Sequence, residues 1–246
     1  MLLIQLGTRI EQAFSPVRAV LRPLLSDPLV AAVWVLLVGM SVGTLLWDLR
    51  ARNQALPSMM KGVWALVVLY SGPFGLALYW WTGRTQITTD SLWRRGVRST
   101  AHCYSGCGAG EIAGITLAQG ILALTIGWVA AITFGFAYVF GYALTVGPLM
   151  QEGVAFWESM KDAFYSETPS ITIMEVTAIG ADLLLASEAH MGDLLFWMAL
   201  AFSLSLGFIA AFPINVVLVR FGVKEGMKNP AELSVDQNTG QTQAAN

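Results

Sequence analysis

The residues best suited to chemistry lie in one short stretch, HCYSGCGAGEIAG, which holds both cysteines of the 246-residue chain and one of its two histidines. On a helix, Cys103, Cys107 and Glu111 fall at positions i, i+4 and i+8 and share one face. His102 begins the adjacent ridge, so a helix start here would offer two thiols, an imidazole and a carboxylate. Thiolate and imidazole ligands select copper(I) or zinc over hard cations. We therefore predict a metal site formed by His102, Cys103, Cys107 and Glu111.

The same stretch predicts a close helix contact. Gly106, Gly110 and Gly114 recur every four residues, a spacing that lets a neighbouring helix backbone approach closely within a membrane. The geometry of a disulfide fits two cysteines four residues apart on a helix poorly, although a loop conformation would allow it.

Composition identifies the kind of protein that surrounds this stretch. The chain is 55% hydrophobic and 12% charged, with a mean hydropathy of +0.60, whereas soluble domains carry about 25% charge. We predict an all-α integral membrane protein that contacts the lipid bilayer, and this composition is compatible with a homo-oligomer or with a place in a membrane complex. A net charge of −2 argues against a nucleic-acid partner.

Apolar runs near the roughly 20-residue length that spans a bilayer predict six membrane spans in one domain, residues 27–228. The predicted spans are residues 29–47, 62–81, 108–126, 129–148, 170–186 and 193–219. Residues 1–26 form an amphipathic helix that lies in the membrane interface or packs on the protein surface, and we expect it to break at Ser15-Pro16. The polar tail, residues 229–246, is predicted to be disordered.

Three details of this topology depend on local signals. Ser71-Gly72-Pro73 should kink the span over residues 62–81. The apolar run over residues 108–150 is too long for one span, so it contains either two spans or one span with a re-entrant piece. Residues 151–169 are amphipathic and predict a short interfacial helix.

The distribution of basic residues predicts orientation. Six spans place both termini on one side, with 11 basic residues on that side and three, Arg50, Arg52 and Lys61, on the other. The positive-inside rule then places both termini at the cytoplasmic face. The 11 residues are Arg9, Arg18, Arg22, Arg84, Arg94, Arg95, Arg98, Lys161, Arg220, Lys224 and Lys228.

Polar residues inside predicted spans are costly and therefore candidates for function. Glu175 and Asp182 are seven residues apart on one helix face, Gln119 shares a face with Glu111, and Asn215 follows Pro213. We interpret Gln119, Glu175, Asp182 and Asn215 either as a polar path that faces the thiols or as hydrogen-bonding residues that lock helix contacts.

Four stretches together resemble a family of bacterial and archaeal membrane proteins known as a domain of unknown function. The stretches are residues 59–81, 102–114, 170–180 and 212–227. The family is marked by a His-Cys-x-x-Gly-Cys-x-x-Gly-Asp/Glu motif, a Pro-x-Asn in the last span and a basic Gly-x-Lys-Glu end, and the resemblance covers most of residues 30–228. It implies a compact helical domain in a bacterial or archaeal cytoplasmic membrane, without an established activity. The marked residues it implies are His102, Cys103, Cys107, Glu111, Glu175 and Asn215.

Three functions fit these residues. The first is binding, with or without transport, of copper(I) or zinc by the Cys/His/Glu site. The second is thiol–disulfide redox chemistry, although the chain has no second cysteine pair for exchange. The third is a non-catalytic accessory role in which the cysteines and glycines only pack. We assign no catalytic residue, because the chain has no phosphate-binding loop, HExxH motif or serine elbow.

Overall fold

The computed structural model describes residues 2–224, 227 and 229–232, with side chains from Gln12 onward. This part of the chain is all-α and contains eight α-helices and one π-helical segment. The helices are α1 (Leu2–Leu25), α2 (Pro28–Ala51), α3 (Ser58–Ser71), α4 (Pro73–Thr82), α5 (Leu92–Ile115), the π segment (Thr116–Ile121), α6 (Ile126–Gln151), α7 (Phe156–Ala186) and α8 (Leu194–Arg220).

Four helices, α2, α6, α7 and α8, are long and apolar enough to cross a membrane. The prediction of an all-α membrane protein is therefore confirmed, but the count of six spans is not. Helix α5 has the length of a span, 24 residues, but it is much less apolar than the other four.

Helices α5 to α8 form an up-and-down bundle around α5. Gly106 lies against Gly141 and Gly114 against Thr133, so α5 and α6 run antiparallel. Helices α6 and α7 are also antiparallel, since the hydroxyl groups of Tyr142 and Thr168 and those of Tyr138 and Thr172 form hydrogen bonds. Helix α8 returns along α7, with Gly207 against Met174. Every residue of α5 from Gly96 to Gly108 is buried, because neighbouring helices cover it on all sides.

The glycine ridge of α5 lies directly on α6. A Cβ atom at Gly110 would be 2.5 Å from the carbonyl oxygen of Phe136, and one at Gly114 would be 2.8 Å from the Cα of Thr133. At Gly106 the nearest atom would be the Cα of Gly141, at 3.0 Å. Only glycine allows this approach, which brings the thiols of α5 close to α6 and α7.

Residues 58–82 form a helical hairpin, which differs from the single kinked span predicted over residues 62–81. Gly72 adopts a positive φ of 55° and Pro73 occupies the first turn of α4, so the chain reverses. Gly75 then packs on Val67 and Val68, and the rings of Trp64 and Tyr79 are 5.6 Å apart. With 14 and 10 residues, α3 and α4 are only about 21 and 15 Å long, so the hairpin enters the bundle and returns to the same end.

Two buried polar residues hold the open end of this hairpin. Asp48 accepts hydrogen bonds from the Tyr79 hydroxyl (2.7 Å) and from Arg84 (3.1 Å). Asn53 donates to the carbonyl oxygen of Gly83 (3.2 Å) and to the Tyr79 hydroxyl (2.9 Å). The end of α2 is thereby fixed to the C-terminal end of the hairpin.

Because the hairpin of α3 and α4 returns to the end of the bundle at which it enters, it does not form the span predicted over residues 62–81. We call the end of the bundle that holds residues 52–57, 83–91 and 220–224 the basic end. The opposite end, with residues 26–27, 122–125 and 187–193, is the link end. Arg22 forms an ion pair with Glu188 at the link end, whereas Lys224 lies at the basic end. Residue 26 and Lys224 thus lie at opposite ends of the bundle, and the placement of both termini on the cytoplasmic side of a membrane stays a prediction.

Several predicted boundaries also differ. Helix α5 begins at Leu92, so His102–Gly114 lies well inside a helix and not at a helix start. Residues 151–169 and 170–186, predicted as an interfacial helix and a span, contribute to one 31-residue helix, α7, that continues through Pro169. Helix α1 continues through Pro16 and packs on α7 and α8. In the predicted disordered tail, Asn229 is buried, and residues 233–246 lie outside the described residues.

Alanine substitutions at two glycines test the close contact between α5 and α6. Gly110→Ala should lower stability by about 1–3 kcal/mol, because the added methyl group overpacks the interface. Gly135→Ala on α6 is the matched control, since its Cβ would meet nothing within 4 Å and alanine favours the helix by about 1 kcal/mol. Thermal unfolding in detergent measures both. Equal stability of the two variants would contradict the described contact.

Candidate functional site

The two cysteines form a thiol pair in the interior of the bundle. Both are free and buried, and their Sγ atoms are 3.8 Å apart. The Ser170 hydroxyl of α7 lies 3.4 Å from the Sγ of Cys103. On α6, Gly141 lies next to Cys107, since a Cβ there would be 3.8 Å from its sulfur and 2.7 Å from the Cδ1 of Ile171 on α7. The helical i, i+4 spacing on a shared face thus brings the sulfurs together inside a three-helix contact.

Three carboxyl groups continue from the thiol pair toward the link end. Glu175 faces Cys107, although not at a geometry that makes a full hydrogen bond to either of its oxygens. Glu111 lies close enough to both Glu175 and Asp182 to interact electrostatically with each. Glu111 and Glu175 are 1% and 0% exposed, so these groups are desolvated within the bundle.

His102 points to a different place. It lines a cavity of about 520 Å³ at the basic end, together with Glu167, Lys224, Thr145 and Asp162. Neighbouring residues on a helix are about 100° apart, and this rotation turns the imidazole away from the face that carries the thiols. His102 therefore lies at the boundary between the cavity and the bundle interior.

A buried ion pair lies between this cavity and the thiol pair. The Lys224 ammonium donates to Glu167 at 2.6 Å and to the side-chain oxygen of Asn215 at 3.2 Å. Ser99 donates to the same oxygen of Asn215 at 3.0 Å, and Thr145 donates to Glu167 at 3.1 Å. Each charged atom of the ion pair thus has at least one hydrogen-bond partner, and the network joins α5, α6, α7 and α8 to the segment that follows α8.

Sequence reasoning did not single out Glu167, Lys224 or Ser170. Glu167 falls in a segment that was predicted to be interfacial, and Lys224 follows the last span in a basic run. The available signal was the Thr168-Pro169 step, because a proline inside a helix frees a carbonyl and attracts polar groups. Ser170 connects this region to the thiols, since its hydroxyl also lies 3.1 Å from the carbonyl oxygen of Glu167.

These polar groups follow one another along the facing sides of α5 and α7, and we call the series the polar column. From Glu167 to Asp182 the column covers 15 residues of α7, or about 22 Å along the axis, compared with about 30 Å for a bilayer core. From the basic end to the link end the column consists of Glu167, Ser170, Cys103, Cys107, Glu175, Glu111 and Asp182.

Two predicted polar residues lie outside the column. Gln119 lies in the π segment and its amide nitrogen is 3.4 Å from the Ala189 carbonyl oxygen at the link end. Asn215 binds Lys224 and also donates to the Ala211 carbonyl oxygen at 3.1 Å. His190 is exposed in the link between α7 and α8.

The predicted metal ligands are not brought together as a set. Within the described residues, no three histidine, cysteine, aspartate or glutamate side chains are arranged to hold a metal ion. The reason is helical geometry: His102 faces another direction, and Glu111 is eight residues, or about 12 Å, beyond Cys103. The two thiols remain as a pair of neighbouring ligands.

Fold and site together define a helical membrane protein with a polar, thiol-containing interior. Residues 92–224, which contain α5 to α8 and the whole polar column, match the family described as Domain of unknown function (DUF4396), and the chain belongs to that family. The family resemblance found in the sequence is therefore confirmed. No curated protein and no solved structure is detectably similar to the chain.

Removing one partner of the buried ion pair should be strongly destabilising. Lys224→Met leaves Glu167 as an unpaired buried charge, which costs about 3–5 kcal/mol. The double variant Lys224→Met/Glu167→Gln removes both charges and should regain most of that loss. Chemical unfolding in detergent measures both variants.

The exposed pair of Arg22 and Glu188 is the control for this experiment. Its side chains are 31% and 74% exposed, so Glu188→Gln should change stability by less than about 1 kcal/mol. If Lys224→Met had as small an effect as Glu188→Gln, the buried ion pair would not exist in the membrane protein.

Proposed function

We propose that this protein binds copper(I) through the sulfurs of Cys103 and Cys107 and passes the ion along the polar column. The observation that carries the proposal is the thiol pair, with two buried sulfurs 3.8 Å apart and free of a disulfide. Soft thiolate ligands select Cu(I) and zinc among the common ions. A role in packing alone would not require the thiol of Cys107 to face the unpaired carboxyl group of Glu175.

The ligand count favours copper(I) over zinc. Structural zinc sites use four ligands and catalytic sites three protein ligands plus water. The described residues supply a thiol pair without a third metal-binding side chain in position. Copper(I) forms stable complexes with a pair of thiolates, so it needs no further ligand from the chain.

The cavity at the basic end is the proposed entrance for the ion. His102 lies on its wall, and an imidazole there can hold a copper(I) ion before it reaches the thiols. The Lys224–Glu167 pair separates the cavity from Cys103. Movement of the ion inward then requires the ammonium of Lys224 to shift away from the path, because like charges repel.

The proposed orientation places the basic end in the cytoplasm of a bacterium or archaeon. Ten basic residues lie at or near that end, while α1 carries three. The positive-inside rule supports this assignment, and it places the residues around Ser26 on the opposite face. The ten are Arg50, Arg52, Lys61, Arg84, Arg94, Arg95, Arg98, Lys161, Arg220 and Lys224.

Copper(I) binding to purified protein tests the proposal. Under anaerobic, reducing conditions, competition with a chromogenic chelator should give about one copper(I) per chain. Cys103→Ser and Cys107→Ser should each weaken affinity by about 100-fold or more, since loss of even an outer-shell partner costs about 10–100-fold. X-ray absorption should show sulfur as the main ligand.

His190→Gln is the matched control, because it removes the exposed histidine and leaves the thiols intact. It should bind copper(I) like the native protein. A native protein that binds neither copper(I) nor zinc in the reduced state would disprove the proposed function. If the native protein binds one zinc per chain in place of copper(I), the thiol pair is still the metal site, but its metal is zinc.

A further inference from the structure

Helix α1 borders a basic pocket and an apolar groove at the link end of the bundle. We propose that the pocket and the groove form one binding site for an anionic phospholipid, with the lipid phosphate on Arg18 and Arg22 and an acyl chain in the groove. The site shares no residue with the thiol pair or with the cavity at the basic end. The proposal therefore does not depend on copper(I) binding.

The basic pocket is largely open and has a volume of about 590 Å³. Arg18 and Arg22 of α1 line it together with Leu195 of α8, and among the described residues that line it none is acidic. The two arginines are four residues apart, so they lie on the same side of the helix. Each guanidinium presents a planar fork of N–H donors that matches the oxygens of a phosphate. The pocket therefore suits a single phosphate group held by both arginines.

The two arginines have donors available for a ligand. Arg18 forms no ion pair with another described residue. Arg22 contacts Glu188 through one nitrogen, Nη2, at 3.1 Å, and this pair is exposed and therefore weak. The hydroxyl groups of Ser15 and Ser26 also line the pocket, but both donate to backbone carbonyl oxygens of α1. The arginines are thus the groups that can donate to a phosphate.

The apolar groove begins where the basic pocket ends. Arg18 lines both of them, so they are adjacent. The groove has a volume of about 270 Å³, and its other lining residues are apolar and come from α1, α7 and α8, among them Leu21, Leu184 and Phe202. A ligand that fills both spaces must combine an anionic group with an apolar chain.

The depth of the groove matches one leaflet of a bilayer. Leu195 lines the pocket near the start of α8, and Leu206 lines the groove. These residues are 11 positions apart, or about 16 Å along the helix. Half of a bilayer core is about 15 Å. A lipid with its phosphate on the arginines would therefore extend an acyl chain along the groove to the middle of the membrane.

The surface of α1 also favours a lipid over a soluble ligand. Val20 and Leu24 are 69% and 49% exposed, and apolar side chains on an amphipathic helix of this kind face the lipid boundary. A free phosphate would contact the arginines but leave the groove empty. A zwitterionic lipid brings a cationic group that the two arginines repel, so the site should select an anionic phospholipid.

Native mass spectrometry of the full-length protein in detergent tests the proposal. Offered equal amounts of phosphatidylglycerol and phosphatidylcholine with identical chains, native protein should retain about one phosphatidylglycerol per chain, with about a tenfold preference. Arg18→Gln/Arg22→Gln should weaken this retention by about 30-fold, because each basic residue near an anionic lipid contributes a factor of about five. Arg220→Gln is the matched control, since it removes an exposed arginine at the basic end, and it should bind like native protein.

Ala181→Leu tests the groove without a change of charge. It adds volume at a residue that lines the groove, so it should weaken retention of both lipids several-fold, while circular dichroism confirms the fold of each variant.

Equal retention of the two lipids by native protein would overturn the proposal without reference to any variant, and so would unchanged retention by the double arginine variant. Displacement of the lipid by an equal concentration of glycerol 3-phosphate would also overturn it, because the site would then take a small phosphate. A dimer that retains no lipid would overturn it as well, because a second copy of the chain would then cover the groove.

Discussion

The structure depends on keeping a polar helix in the middle of an apolar bundle. Helix α5 carries the thiols, His102 and Glu111, and such groups are costly when they face lipid. The chain meets this constraint by surrounding α5 with α3, α6, α7 and α8. The close approach of α5 to α6 requires glycine. At the tip of the hairpin, the Ser71 hydroxyl lies 2.8 Å from the hydroxyl of Tyr104 on α5. The outer faces of the surrounding helices can then be apolar because they face lipid, while polar residues such as Glu175 of α7 are buried inside the bundle.

The sequence was most informative where the chain faces lipid. Hydropathy predicted the bounds of α2 and α8 to within a few residues, because a helix that faces lipid must be apolar along the length that crosses the bilayer. Hydropathy misplaced the start of α5, since Trp93–Ala101 is polar enough to resemble a loop. A helix covered by other helices need not be apolar, so no hydropathy window detects its beginning.

The hairpin and the ion pair could not be predicted for a different reason. A Gly-Pro step is compatible with both a kink and a reversal, and the choice is made by distant residues such as Asp48, Asn53 and Tyr79. Likewise, Glu167 and Lys224 are 57 residues apart, and nothing local indicates that they meet. By contrast, the shared face of Cys103 and Cys107 follows from helical spacing alone, and it is the part of the site that the sequence placed correctly.

The distance in sequence between Glu167 and Lys224 also has a consequence for how the protein is made. Synthesis proceeds from the N-terminus, so α7 leaves the ribosome before the residue that neutralises Glu167 exists. A lone carboxylate costs up to about 2.5–3.5 kcal/mol when it enters the centre of a membrane. Lys224 removes the part of this cost that comes from Glu167 once it follows with α8, which favours the entry of the two helices into the bilayer as a pair. The last helix thus completes the insertion of the one before it.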